Sequence, residues 1–190
     1  MRQHIKNLKP VKKIVIYNTE SSGPVHNKIK DNKHYIFSEY FGEKYKSGQK
    51  IKNIRHEDLM NLSFDNDSID IILSSDVFEH ISEPYKAHKE IYRVLKKGGC
   101  HIFTVPFMQN DYLDQKRAKI NKKGNLVHLL PPIYHLDGIR PDEGALVFNL
   151  FSIEMLVKLR EIGFNTEMYF LHKPEYGIIG PNQTVFIAKK

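Results

Sequence analysis

Hydroxyls and a carboxylate arrive together at Ser74, Ser75 and Asp76, where the apolar run Ile69, Ile71, Ile72 and Leu73 breaks off. A buried parallel strand ends this way on reaching the ligand edge of its sheet, so these groups are placed to hold a polar ligand by hydrogen bonds. Glu39 stands near the end of a second apolar stretch, YIFSEYF, and its carboxylate can accept from two neighbouring hydroxyls. Other chemistries find no spacing to match. The ten histidines form no HExxH, the single Cys100 rules out CxxC, and the aspartates are scattered, so the spacing yields no metal ligand set. A nucleophilic hydrolase would carry GxSxG and a dehydrogenase GxGxxG, and both are absent.

Positioning these residues takes a β-strand, a crossover helix and a second strand. After Asp76, Ser82 suits an N-cap, Glu83 and Pro84 suit a first turn, and Ala87, Ile91, Val94 and Leu95 recur at helical spacing. Lys96 and Lys97 suit the negative end of the helix before Gly98 and Gly99 stop it, and Cys100 to Val105 is the next strand. Such a βαβ unit is right-handed and carries its ligand at the carboxyl ends of the strands. Upstream, Lys13 to Tyr17 reads as a strand, Asn18 to Pro24 as a loop and Val25 to Lys30 as a short helix. His34 to Tyr40 and Ile51 to Glu57 are further strands. Met108 to Gly144 is rich in charge, Pro and Asn without a sustained period, as a lid or substrate-side insertion would be. Ser152 then caps a helix that Gly163 ends, and Phe164 to Leu171 with Thr184 to Ala188 form an antiparallel hairpin. The class is α/β, a mostly parallel sheet with helices on both faces, in a single domain spanning 1–190.

A chain of 190 residues buries about 70% of its unfolded surface and needs no staple. Cys100 sits in a predicted strand as a small core residue, which leads one to expect a reducing compartment. No segment reaches the roughly 20 apolar residues of a membrane span, so the expected location is cytoplasmic. The formal charge of +7 gathers at Lys6 to Lys13 and at Lys116, Arg117, Lys119, Lys122 and Lys123. Solvated surface explains both clusters. Without an aromatic platform or RNA-binding appendage, the charge argues weakly for a nucleic-acid partner.

The phrase LSFDNDSIDIILSSDVFEHI followed by EIYRVLKKGG resembles the middle of class I S-adenosylmethionine-dependent methyltransferases, especially the small type 11 kind. The resemblance implies a Rossmann-like methyltransferase fold of seven strands, with S-adenosylmethionine as cofactor. Its glycine-rich first turn falls on NTESSGP, where Tyr17 replaces the usual acid, Thr19 and Ser21 replace glycines and only Gly23 survives. Side chains there restrict positive backbone angles and crowd a ligand. By resemblance the cofactor contacts are Asn18, Thr19 and Gly23 in this turn, Glu39 for the ribose, Asp58 and Leu59 for the adenine, and Ser75 and Asp76 for the methionine part. Asp58 has a second reading as a local cap, because Asp bonds readily to the backbone two residues on.

Methyl transfer is an in-line displacement on an activated methyl, so the protein chiefly positions the reactants and excludes water. A hydroxyl or ammonium acceptor gains from a general base, for which His80 and His135 qualify by position. For His80, a hydrogen-bonding group that braces the loop behind the site is the reading that takes precedence over a base. HLLPPIYHLDGIRPDEGALVF is similar to a segment bordering the acceptor pocket in some relatives, which makes His128, Tyr134 and Arg140 substrate-binding candidates. The acceptor expected is a small molecule, a glycan or a lipid-linked intermediate. A catalytically degenerate relative serving as a binding or assembly module is the alternative. A homodimer through a sheet face left bare by the short N-terminus, and a longer precursor containing this domain, both stay open.

Overall fold

Short runs of Ile, Val, Phe and Tyr suit half-buried strands, and eight of them build one mixed sheet. The computed structural model describes residues 13–136, 142, 144–180 and 183–190. Its main elements in chain order are β1 (Ile16–Asn18), α1 (Gly23–Ile29), β2 (Tyr35–Glu39), β3 (Lys50–Ile51), β4 (Ile54–His56) and β5 (Ile69–Ser75), then α2 (Pro84–Val94), β6 (Leu95–Thr104), α3 (Ile153–Ile162), β7 (Asn165–Phe170) and β8 (Thr184–Lys189). Across the sheet the order is β7, β8, β6, β5, β1, β2, β4, β3. The strands from β4 through β2, β1 and β5 to β6 run parallel, while β3 at one edge and the β7–β8 pair at the other are antiparallel. The chain leaves β1 towards β2 and later returns to its other side as β5, so the tips of β1 and β5 form the topological switch point.

The expected seven strands gain an eighth because Ile51 to Glu57 does not run straight. Lys52 and Asn53 both take positive φ, 48° and 68°, and fold the stretch into a tight hairpin. The crossover also differs from its sequence reading. Glu83, not Ser82, occupies the N-cap position of α2, and the helix ends at Val94 with Leu95 already extended. Lys96 and Lys97 therefore lie in β6, where Lys96 Nζ pairs with Asp70 Oδ2 at 2.6 Å. The glycines serve a bulge instead of a helix stop: the β5–β6 register shifts between Ile69 and Ile71, and a Cβ on Gly99 would stand 2.8 Å from the Asp70 carbonyl oxygen.

Helices cover the sheet unequally. Ala87, Ile91 and Val94 of α2 and Met155 and Leu159 of α3 are buried against Tyr17, Ile72, Phe103 and Phe186. On the opposite face α1 packs His26 edge-on against Phe37 at 4.7 Å. Ile71, Leu73, Ile102, Val185 and Ile187 are only half-buried. The Lys6 to Lys12 part of the basic N-terminal cluster lies outside the described residues.

The described residues of the segment 108–144 are organised into narrow ribbons. Gln115–Lys116 pairs with Asn149–Leu150, Ala118–Ile120 with Leu126–His128, and Tyr134–His135 with Ala145–Leu146. Asp114 anchors its root. The carboxylate accepts from the Ser152 backbone N–H at 2.8 Å and the Ser152 hydroxyl at 3.1 Å, and the Tyr85 hydroxyl of α2 donates to it.

Candidate functional site

At the switch point, parallel pairing sets the tips of β1, β2 and β5 side by side, and three carboxylates follow from that register. Glu39 ends β2. Its Oε1 accepts from both the backbone N–H and the hydroxyl of Ser21, each at 2.8 Å, so the first loop is pinned to the second strand tip. Glu20 sits between them. Its carboxylate accepts from the Ser75 backbone, and partial burial with Glu39 and Asp76 nearby raises its pKa above the usual carboxylate range. Asp76 follows β5 in the left-handed region, φ 50°, a conformation that short polar side chains tolerate best.

The sequence-derived cofactor residues divide according to what they already hold. Asn18 is buried and spends its amide on the Glu20 carbonyl at 3.1 Å and the Tyr35 hydroxyl at 2.9 Å, which makes it a brace of the loop. Thr19 is buried with its hydroxyl unpartnered among the described residues. Gly23 begins α1 with φ 86° and open space around it. Asp58 Oδ1 accepts from the Met60 N–H at 2.8 Å, the local cap foreseen as its second reading, and Leu59 beside it is buried in the core. Ser74 is turned inwards to His101, 2.9 Å away, whereas Ser75 and Asp76 are exposed at the tip. Beside them a cavity of about 480 Å³ opens between the ends of β5 and β6 and the β7–β8 turn, lined by Asp76, Thr104, Pro106, Leu171, Ile178 and Val185.

A second cluster lies just beyond Asp76, on the 3-10 turn Phe78–His80. Glu79 is fully buried and both of its oxygens lack a hydrogen-bond partner among the described residues. Burial pushes its carboxyl up to about 8, with the Asp76 charge adding to the rise. Oε1 stands 3.6 Å from His80 Nε2 and 3.6 Å from His135 Nδ1, and the two imidazole nitrogens are 3.2 Å apart. The Leu146 carbonyl, which can only accept, lies 2.8 Å from His80 Nδ1, so that nitrogen carries the proton and Nε2 presents its lone pair to the cluster.

The stretch 145–150 assembles this group. Tyr134–His135 pairs with Ala145–Leu146, the Phe148 N–H donates to the Glu79 carbonyl at 2.7 Å, and Asn149 Nδ2 donates to the Ile81 carbonyl at 2.8 Å. His80 and His135, proposed separately as bases, thus meet although 55 positions apart. Tyr134 is exposed next to His135, His128 is exposed on another ribbon opposite Ala118, and Arg140 lies outside the described residues. Sequence spacing offered no sign of Glu79 as a partner, nor of Glu20. The only hint at Glu20 was its place in the loop at the end of an apolar strand.

Residues 36–103 match the family model described as a methyltransferase domain. Over 45 residues the chain is 50% identical to an uncharacterised methyltransferase of Mycobacterium tuberculosis, a match covering 24% of this chain and 18% of that protein. The chain thus spans less than a fifth of the length of the curated relatives it matches. Among solved structures it is similar to an S-adenosylmethionine-dependent methyltransferase from Mesorhizobium loti, with TM-score 0.55 and 16% identity over 95% of this chain and 92% of that one. A second, a putative S-adenosylmethionine-dependent methyltransferase from Listeria monocytogenes, gives TM-score 0.55 and 15% identity over 94% and 92%. These likenesses establish a Rossmann-like methyltransferase fold.

Proposed function

We propose that this chain, a methyltransferase domain on the class I fold, transfers a methyl group from S-adenosylmethionine to a small-molecule, glycan or lipid-linked acceptor. The observation that carries the reading is the row of Glu20, Glu39 and Asp76 along three adjacent strand tips. Neighbouring carboxylates repel, and a ligand bearing a sulfonium and an ammonium relieves that repulsion. When bound, the cofactor supplies an activated methyl whose displacement turns a cationic sulfonium into a neutral thioether.

The protein's own residues divide the remaining work. Glu39 Oε2, which makes no hydrogen bond among the described residues, is left for the ribose hydroxyls, while Ser21 holds Oε1 and with it the loop. Asp58 and Leu59 face the adenine end, with one Asp58 oxygen already spent on its turn. Ser75 and Asp76 take the methionine end. The His80–His135 pair serves the acceptor by receiving or stabilising the loss of its proton. Tyr112 and Leu113, exposed at 80% and 70%, precede the basic run Lys116 to Lys123 in the chain, a combination suited to an amphipathic anionic acceptor.

A specific observation favours the module reading as well: Glu20 and Ser21 bridge the crevice by bonds within the protein. Calorimetry separates the two. Micromolar binding of S-adenosylhomocysteine, weakened about a hundredfold in Glu39→Ala through loss of charged hydrogen bonds worth ~1.5–3 kcal/mol each, supports the transferase. Absence of binding at millimolar ligand supports the module. Among the described residues no helix is long and apolar enough to cross a membrane.

A further inference from the structure

We infer that Glu79, His80 and His135 form a binding site for a divalent transition-metal ion, with zinc the best match to its geometry. The three candidate ligand atoms, Glu79 Oε1, His80 Nε2 and His135 Nδ1, define a triangle with sides of 3.6, 3.6 and 3.2 Å. Ligands held ~2.1 Å from a tetrahedral ion lie about 3.4 Å from one another, so an ion fits in front of this triangle with little movement. Two imidazoles and a carboxylate are a donor set that suits zinc, iron(II) or manganese, while magnesium and calcium favour all-oxygen sites.

The surroundings argue for an ion over a chance cluster. Glu79 is fully buried, and neither oxygen has a partner among the described residues, a state that burial penalises unless a cation arrives. His80 is oriented for ligation by the Leu146 carbonyl, which fixes its proton on Nδ1, as backbone acceptors do for metal-bound histidines. His135 would join through Nδ1 once its proton, which the 3.2 Å contact with His80 Nε2 holds on Nδ1, moves to Nε2. Three protein ligands leave at least one coordination position for water or an oxygen of another molecule. Glu79 itself lies three residues beyond Asp76, on the turn that follows the carboxyl end of β5. There the ion would lower the pKa of an acceptor hydroxyl, and the histidines would act through it and not as free bases. This last role rests on the transferase reading; the binding of the ion does not.

The test uses the untagged chain, stripped with a chelator, freed of it by dialysis and titrated with Co²⁺ in the absence of any nucleoside. The expected result is saturation at one equivalent with an intense visible band of tetrahedral type, displaced by Zn²⁺. Affinity should fall at least tenfold in His135→Ala and in Glu79→Gln and stay unchanged in His128→Ala. His135 is half-exposed on a ribbon, so its variant should keep the native circular dichroism even if Glu79→Gln does not fold. No saturable binding, or binding unaltered in a folded His135→Ala, overturns the inference. Metal binding without cofactor binding would leave this site standing and count against the transferase reading alone.

Discussion

Two glutamates within one sheet edge meet opposite fates. Glu39 is half-buried and receives two hydrogen bonds from the adjoining loop, whereas Glu79 is fully buried and receives none among the described residues. The ground behind Glu79 shares its character. His88 is buried with neither ring nitrogen partnered among the described residues, stacked on Phe78 at 4.1 Å, and His101 lies beside it at 5.7 Å. The contrast teaches that the strand-tip edge around Glu39 is stabilised by the chain itself, while the region behind β5 is stabilised only as long as its polar groups stay neutral or gain an outside partner.

The largest effect expected from this contrast is acid sensitivity from the region behind β5. Burial lowers the His88 pKa to about 3 and drives that of His101 well down, so the unfolded chain binds protons that the folded one refuses. Their contribution is fully present above the unfolded value near pH 6.5 and is lost as pH falls towards the folded values, by ~1.4 kcal/mol per pH unit for each histidine. Urea denaturation of His88→Phe from pH 7 to pH 4 should show a shallower decline than the native chain; equal slopes would remove this asymmetry between the regions. Next comes the charge row at the strand tips proposed to hold the cofactor. Glu20→Gln should reduce the preference for the sulfonium cofactor over its thioether product about three- to fivefold, read by paired calorimetric titrations, as expected for one partly exposed ion pair of ~1 kcal/mol. In the native chain that preference should grow as pH rises through the elevated Glu20 pKa. The smallest change is Ser21→Ala, which removes the hydroxyl donor and leaves the backbone donor to Glu39. Cofactor affinity should drop about twofold by the same calorimetry, and a drop as large as that of Glu39→Ala would make the hydroxyl the dominant tie.

The same contrast explains how much was legible in the residues. Strands β1, β2 and β5, helix α3 between Ser152 and Gly163, and the β7–β8 hairpin follow from apolar runs and local caps, because those signals act over a few neighbouring positions. Ser152 does accept from the Glu154 N–H, and Gly163 does take φ 118°. The end of α2 was misplaced since two glycines after two lysines mimic a helix stop, while here they admit a bulge against Asp70. The meeting of Glu79 and His80 with His135 was invisible. It depends on ribbons only two residues wide, too short to show a period, and on the backbone bond from Phe148 to Glu79. The partners of Ser21 and Glu20 stayed hidden for a related reason: a loop that departs from its family's glycine pattern gives no local rule for where its side chains go.

The bonds from 146, 148 and 149 to residues 79–81 carry a lesson for anyone wishing to exchange the segment between β6 and α3 with that of another protein. It is no detachable cassette. Because side chains alternate along a strand, a graft slipped by one position along Ala145–Leu146 would point the imidazole of His135 to the other side, leaving the turn intact and the cluster dismantled.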